Sequence, residues 1–248
     1  MSKVIVIDPG HSGWDPGAIA IDGRPEKDYT LHLSLAVRDQ LLKRFDCTVL
    51  MTRETDVALA PPGQLAADLN ARAMVANQAG ADLFMSNHHD AGGPEARGAS
   101  LYIHTNKRAK DGGLAWLPAI AEDGRVNHEA PNSFRLAQTF LPPVKEELAR
   151  YGIPWRDFGG PTGIACADFQ VLRDAFGPCM LLETHFGTNE HDNWAARRPG
   201  FIVDLATAIA TGIGGALSLP HRSDEAPNWE ARALAAEAKL KQIRKVLG

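Results

Sequence analysis

The chain is poor in cysteine, has no surplus of positive charge and contains no long apolar run. Its 248 residues include three cysteines, Cys47, Cys166 and Cys179. An odd number without close pairs argues against a disulfide framework and a C-x-x-C metal knuckle, so we expect reduced thiols. The net charge of −4 provides no basic field for nucleic acid. No stretch approaches the ~20 apolar residues of a membrane-spanning helix.

A secretion signal is also missing from the beginning of the sequence. Met1-Ser2-Lys3 leads directly into an apolar strand, without the charged, apolar and cleavage regions of a signal peptide. We therefore expect synthesis in the cytosol, and delivery by some other route if the substrate lies outside the membrane. The composition, 44% apolar and 23% charged, is that of an ordinary globular protein.

Apolar strands alternate with helical stretches along most of the chain, which predicts a three-layer αβα domain with a mostly parallel central sheet. The predicted strands are Val4–Ile7, Cys47–Thr52, Asp82–Ser86, Ala99–His104, Phe169–Leu172 and Cys179–Leu182. The predicted helices are Asp28–Phe45, Leu65–Ala79, Ser133–Phe140, Pro142–Tyr151 and Pro199–Leu217. Two segments rich in glycine and proline, 107–131 and 152–167, are expected to be loops.

The end of the chain differs in pattern from the rest. We expect a main domain over residues 1–219, a linker over 220–228 and a C-terminal amphipathic helix over 229–248. This helix has a heptad seam of two to three repeats, formed by Trp229, Ala233, Ala236, Leu240, Ile243 and Leu247. So short a seam leaves three interpretations open: docking on the chain's own domain or a solvated tail, self-association, and contact with an anionic surface.

The turn after the first strand places His11 at an edge of the predicted sheet. Val4–Ile7 is apolar and β-branched, as in a fully buried strand, and Asp8-Pro9-Gly10-His11 ends it. Ligands of open α/β sheets bind at this carboxyl edge. The turn lacks the glycine patterns of phosphate-binding loops. His11 is therefore a metal ligand, a general base or a hydrogen-bonded structural residue.

Three further residues have the chemistry of a metal centre. His88 and Glu183 come at or just after the ends of buried strands, and Glu26 stands near a helix N-terminus. These positions can converge with His11 at one sheet edge. Two imidazoles and a carboxylate form the ligand set of hydrolytic zinc sites, and a second carboxylate would be the general base. Glu26 also has a structural interpretation, as an acid favoured by the helix dipole.

Short motifs between Val4 and Leu217 follow one another in a specific order. They are Val6-Ile7-Asp8-Pro9-Gly10-His11, Asp15-Pro16-Gly17-Ala18, Glu26-Lys27, Thr52-Arg53 with Asp56, Arg72 with Ala76-Asn77, Ser86-Asn87-His88-His89-Asp90-Ala91, Val171-Leu172-Arg173 and Leu181-Leu182-Glu183-Thr184-His185-Phe186-Gly187-Thr188-Asn189. The set resembles the zinc-dependent N-acetylmuramoyl-L-alanine amidases of the amidase-3 type. Members of that family cleave peptidoglycan between the lactyl group of N-acetylmuramic acid and L-alanine.

The resemblance implies a role for each of the four candidate residues. His11, Glu26 and His88 would bind one zinc ion (Zn2+), and Glu183 would be the catalytic carboxylate that transfers the proton. His88 is preferred to His89 as the ligand, because strand residues alternate between faces and His88 shares the face of Ser86.

Two more residues are candidate substrate-binding groups. Arg173 would hold a stem-peptide carboxylate, although a surface ion pair explains it equally well. His185 stands where the family usually has glycine, and it shares the face of Glu183 if the strand continues, which also makes it a competing base. A further departure is Asp90, which replaces the family's asparagine.

The expected function is thus hydrolysis of that amide bond, with peptidoglycan as the partner. Another zinc amide hydrolase acting on stem peptides and a catalytically silent wall-binding domain are the alternatives. The missing signal peptide favours a phage endolysin that acts on the wall after release, ahead of a sporulation or mother-cell-lysis autolysin.

Overall fold

The computed structural model of this chain describes residues 2–104, 119–120, 126–127, 130–156, 162–222, 234, 238 and 240–243. Most of the predicted loop 107–131, of the linker 220–228 and of the helix 229–248 lies outside the described residues. The predicted domain boundaries therefore stay predictions.

A mostly parallel six-stranded sheet forms the centre of the molecule. The described strands are β1 (Lys3–Pro9), β2 (Cys47–Met51), β3 (Leu83–Asp90), β4 (Ser100–Ile103), β5 (Ala119–Ile120), β6 (Val126–Asn127), β7 (Ile164–Cys166) and β8 (Cys179–Phe186). The sheet order is β2-β1-β3-β8-β4-β7, while β5 and β6 pair separately. Within the six-stranded sheet, β4 runs antiparallel to β8 and the other neighbouring pairs are parallel.

Helices cover both faces of this sheet, so the predicted three-layer αβα architecture is confirmed. The described helices are α1 (Glu26–Arg44), α2 (Leu65–Ala79), α3 (Ala130–Arg150), α4 (Gln170–Arg173), α5 (Glu190–Ala196) and α6 (Phe201–Ala216). Alternate residues of β1 supply the two cores: Ile5 and Ile7 pack with α1, α3 and α6, whereas Val6 packs with α2 and α4.

The short apolar segment Phe169–Leu172 was predicted to be a strand, and that prediction is wrong. The amide groups of Leu172 and Arg173 donate to the carbonyl oxygen of Phe169, which closes the turn of α4. Val171 and Leu172 are both buried against the core on the α2 side. So short an apolar run does not distinguish a strand from a helix by periodicity.

Two predicted helices, Ser133–Phe140 and Pro142–Tyr151, are one continuous helix, α3, with Pro142 and Pro143 inside it. Buried apolar residues continue at helical spacing across the prolines, at Leu136, Phe140, Val144 and Leu148. This stripe packs against α6. Tertiary burial therefore outweighs the cost of a proline inside the helix.

Three further differences concern elements at the carboxyl side of the sheet. Strands β3 and β8 extend to Asp90 and Phe186, so His88 and Glu183 lie within the strands rather than after them. Strand β7 lies in the segment predicted to be a loop, and α5 had no predicted counterpart.

Two described residues of the C-terminal segment pack on the chain's own domain. Leu240 and Ile243 are only 3% and 7% exposed and belong to the core beneath α2. This placement favours docking over self-association among the three interpretations. No single helix in the described ranges is long and apolar enough to cross a membrane. Helices α5 and α6, which meet at a bend of 84°, have the required length and apolar composition only when taken together.

Candidate metal centre

The carboxyl ends of β1 and β3 bring the candidate metal ligands together. Parallel pairing sets Pro9 beside Asn87, so the turn that carries His11 lies next to His88 on β3. Glu26 is the first residue of α1 and points its buried side chain between the two imidazoles. One ligand atom from each of the three residues lies within 4.8 Å of the others, and this is the only such group in the described part of the chain.

Glu26 is the central residue of this group. Its two carboxylate oxygens lie 3.1 Å from His11 Nε2 and 2.9 Å from His88 Nδ1, and they accept hydrogen bonds from the amide groups of Ala18 and His89. Burial alone would raise the pKa of Glu26, but the hydrogen bonds and charges of His11 and His88 outweigh it and hold that pKa well below its usual value.

Asp15 orients His11. The Nδ1 atom of His11 lies 2.8 Å from Asp15 Oδ2, so a proton on Nδ1 leaves Nε2 directed at the site. Burial lowers the pKa of His11, but the carboxylates of Glu26 and Asp15 raise it above the usual value. The sequence contains Asp15 in the glycine-rich turn, yet nothing in its spacing reveals this contact.

Two glycines are required by the close packing around the site. A Cβ atom on Gly10 would overlap the ring of His88. Gly17 has a φ of +67°, and a Cβ atom there would lie 2.6 Å from the ring of His11 and 2.8 Å from Glu26. The glycine-rich turn therefore allows the backbone to approach the side chains of the candidate ligands.

Glu183 lies beside the three candidate ligands. It pairs with His88 across β3 and β8, and its Oε2 atom is buried without a hydrogen-bond partner among the described residues. Burial, followed by the negative charges of Glu26 and Asp90, raises the pKa of Glu183 well above its usual value. A buried carboxyl group with a raised pKa beside the candidate ligands is a candidate for proton transfer.

His185 does not share the face of Glu183, contrary to the expectation from the sequence. Between the pairs His88–Glu183 and Asp90–Phe186, β8 has one residue more than β3, which is a β-bulge. The ring of His185 therefore turns to the α1 side of the sheet, with its centroid 4.8 Å from that of Tyr29. Unlike Glu183, His185 does not line the cavity above the candidate ligands.

His89 also points to the α1 side, with its ring 5.1 Å from that of His185. Strand alternation thus separates His88, which faces Glu26, from its neighbour, as the sequence predicted. Burial lowers the pKa of both His89 and His185, which favours two neutral imidazoles in this packed cluster.

Arg173 is placed outside the candidate site. It lies at the end of α4 and forms an ion pair of 2.7 Å with Asp168, and it does not line the cavity. This placement favours the ion-pair alternative. The sequence analysis did not identify Arg156, which lies in a predicted loop. Its guanidinium forms an ion pair of 3.2 Å with Asp90 and stacks on the ring of Phe186.

A cavity of about 360 Å³ lies over the candidate ligands. Its apolar wall is formed by Leu69, Phe169, Val171 and Leu181. Its polar lining comes from His11, Glu26, His88, His89, Asp90, Gln170 and Glu183. Phe169 is 36% exposed at this wall. Such a concave site, apolar with a few convergent polar groups, is typical of an enzyme's substrate pocket.

The donor set fits a zinc ion. Two imidazole nitrogens and one carboxylate are the ligands that zinc takes in hydrolytic sites with an open fourth position. The support of His11 by a carboxylate is also typical of zinc-binding histidines. Glu183 stands next to this group and is not one of its three converging residues.

Comparison with known proteins identifies the family. The family model for N-acetylmuramoyl-L-alanine amidase, Amidase_3, matches residues 5–214. This chain belongs to that amidase family. The motifs recognised in the sequence and the four residues of the site all fall within the matched range.

Curated relatives of this amidase come from phage and bacteria. The endolysin of Bacillus phage SPP1 is 30% identical over 241 residues, which is 97% of this chain and 76% of the relative. The N-acetylmuramoyl-L-alanine amidase CwlM of Bacillus licheniformis is 32% identical over 87% of this chain and 69% of the relative.

Solved structures of similar proteins share the amidase fold. The N-acetylmuramoyl-L-alanine amidase of Clostridium difficile 630 is 27% identical, with a TM-score of 0.65 over 88% of this chain and 97% of that structure. The catalytic domain of CwlV from Bacillus (Paenibacillus) polymyxa var. colistinus has 25% identity and the same TM-score over 88% and 99%. The chain is thus a peptidoglycan amidase by family and fold.

Proposed function

We propose that this amidase is zinc-dependent and hydrolyses the amide bond between the lactyl group of N-acetylmuramic acid and L-alanine in peptidoglycan. One observation carries the proposal: the donor atoms of His11, Glu26 and His88 converge, and the unpartnered Oε2 atom of Glu183 lies beside them. The first three residues would hold the ion, and Glu183 would act on the substrate.

The residues divide the chemistry between them. When bound, zinc supplies Lewis acidity toward the scissile carbonyl and toward water. Glu183 accepts a proton from the attacking water and delivers it to the departing nitrogen of L-alanine. Asp15 keeps the Nε2 atom of His11 directed at the site.

Removal and return of the metal test this proposal. The purified protein is treated with a chelator, and the clearing of a suspension of purified cell walls is followed before and after zinc is added. We expect clearing to be lost with the metal and restored by about one zinc per chain. Full activity of the zinc-free protein would refute the metal dependence.

We further propose that the protein is a phage endolysin, made in the cytosol and active on the wall after release. The similarity to the SPP1 endolysin over 97% of the chain supports this setting. A sporulation amidase is the alternative, favoured by a sporulation-specific relative of Bacillus subtilis, 30% identical over 88% of the chain.

Timed permeabilisation of an expressing host tests the setting. A host with a sensitive wall should grow normally while the protein accumulates, and it should lyse only when the membrane is permeabilised. The Glu183→Gln variant, expressed to the same level, is the matched control and should not lyse the cells. Lysis of wild-type-expressing cells without permeabilisation would contradict release as the controlling step.

A further inference from the structure

We propose that two buried arginines, Arg53 and Arg72, are positioning residues that hold the metal-ligand carriers in place before the ion binds. The proposal rests on the proposed zinc site and deepens it. Both guanidinium groups are fully enclosed, with Arg53 at 0% and Arg72 at 2% exposure. Between them they bind the carbonyl oxygens of Pro9, Gly10 and His11, the turn that carries the first ligand.

Arg72, from α2, links the His11 turn to the strand of His88. Its guanidinium donates to the carbonyl oxygens of Pro9 and His11, each at 2.8 Å, and to Asp8 Oδ1 at 3.0 Å. The other oxygen of Asp8 accepts a hydrogen bond of 2.7 Å from Ser86, two residues before His88 on β3. One connected network thus fixes the separation of the two histidine carriers.

Arg53 links the same turn to the helix of Glu26. It follows β2, and its Nη2 atom donates to the carbonyl oxygens of Gly10 at 2.9 Å and Lys27 at 2.8 Å. The same atom lies 3.1 Å from the Thr30 hydroxyl, which in turn donates to the carbonyl oxygen of Gly10. The first turn of α1, which begins at Glu26, is therefore tied to the His11 turn.

The backbone of His11 shows why the turn needs this support. His11 has a φ of +59°, in the left-handed region that non-glycine residues rarely adopt. A residue in that conformation persists when its surroundings over-determine it. The bond from Arg72 to the carbonyl oxygen of His11 is one such restraint, and the bond from Arg72 to Ser12 Oγ at 2.8 Å is another.

The charges of the two arginines are balanced differently. Arg72 forms ion pairs with Asp8 and with Asp68, at 3.0 and 2.6 Å. Arg53 has no carboxylate within 4 Å among the described residues, and its donors serve carbonyl oxygens and one hydroxyl. Burial, followed by repulsion from Arg72, lowers the pKa of Arg53 to about 10. Because the burial of an arginine without a paired carboxylate is unfavourable, the contribution of Arg53 lies in the hydrogen bonds that position the oxygens around it.

Zinc affinity distinguishes positioning from a merely structural role. Arg53→Lys and Arg72→Lys keep a positive charge but lose the fork of donors that binds several carbonyl groups. The dissociation constant for zinc is measured by chelator competition at a temperature where each metal-free variant is folded. We expect it to rise about 10- to 100-fold, as for other residues that support metal ligands. Arg44→Lys is the control, because Arg44 also donates to a carbonyl oxygen, that of Thr207, and lies in the last turn of α1, at the opposite end of that helix from Glu26.

Two milder variants keep the test decisive if an arginine variant does not fold. Thr30→Val removes the hydroxyl shared by Arg53 and Gly10, and Ser12→Ala removes an acceptor of Arg72. Each should weaken zinc binding by a smaller factor, about 2- to 10-fold, with the fold retained. Zinc affinity equal to that of the wild type in the folded variants would overturn the positioning role. Failure of the wild type itself to bind zinc would instead refute the proposed function.

Discussion

At the scale of single residues, the site depends on a carboxylate that takes part in several contacts at once. Glu26 meets His11, His88 and two backbone amides, so its side chain is fixed before any ligand arrives. Because the first turn of a helix favours negative charge, the position also stabilises the ionised form. The neighbouring histidines therefore face a permanent acceptor.

The two adjacent histidines should differ sharply in metal binding. His88→Ala removes an imidazole that faces Glu26, and we expect most of the bound zinc to be lost. His89→Ala removes a ring on the α1 side, and the zinc content should stay near that of the wild type. Metal analysis of the two purified variants makes the comparison. Equal loss from both would show that His88 is not the specific ligand.

Replacement of Glu183 should separate catalysis from metal binding. Glu183→Gln should retain zinc and the fold while turnover falls about 10²- to 10⁴-fold, because the proton carrier is gone. His185→Ala should cost much less, since that ring lies on the other side of the sheet. Release of zinc by Glu183→Gln would identify Glu183 as a ligand rather than the base.

The raised pKa of Glu183 should make the stability of the metal-free protein depend on pH, and Glu183→Gln should remove that dependence. The pKa of Glu183 is raised in the folded state, so between its usual value near 4.5 and the raised value the folded protein holds more protons than the unfolded chain. The free energy of unfolding of the wild type therefore falls as pH rises through that window. Glu183→Gln lacks this loss, so its stability relative to the wild type should increase with pH. Denaturant titrations across the window check this, and a constant difference would contradict it.

At the scale of elements, helices α3 and α6 approach closely at one glycine. A Cβ atom on Gly212 would lie 2.5 Å from the carbonyl oxygen of Phe140, whereas one on Gly215 would make only an ordinary contact of 3.5 Å with Thr139. Gly212→Ala should lower the free energy of unfolding by about 1–3 kcal/mol through overpacking.

Gly215→Ala is the matched control on the same helix. It should raise the free energy of unfolding by up to about 0.5 kcal/mol, because alanine has the better helix propensity and the site is exposed. Denaturant unfolding of both variants is the measurement. Equal effects of the two substitutions would show that α3 and α6 are not in such close contact.

The sequence predicted the strands that carry the site better than the turns that complete it. Hydrophobic runs located β1, β3 and β8, and the rule that parallel strands end at one edge brought His11, His88 and Glu183 together. The alternation of residue types along the sequence of β8 does not show that the strand contains a bulge. The prediction that His185 shares the face of Glu183 was therefore wrong. Most contacts of Arg53 and Arg72 with the His11 turn go to backbone carbonyl oxygens, which no residue pattern records.

At the scale of the whole molecule, the C-terminal segment contributes to the core of the amidase domain. Leu240 and Ile243 belong to the same buried cluster as residues of β1, β3, α2 and β8, among them Val6 and Phe84. Removal of residues 223–248 should therefore lower the melting temperature. The number of chains in each particle should stay the same. Analytical ultracentrifugation and thermal denaturation of the full and truncated chains test this. A truncated chain that is monomeric where the full chain is a dimer would point to self-association instead.

The bond that is cut tests the central claim most directly. Purified peptidoglycan is digested with the zinc-loaded protein, and the fragments are identified by mass spectrometry, with Glu183→Gln as the control. We expect released stem peptides with a free L-alanine amino group and glycan strands with an intact lactyl carboxyl group. Cleavage within the stem peptides, or glycan cleavage, would contradict the assignment, and so would wild-type product yields from Glu183→Gln.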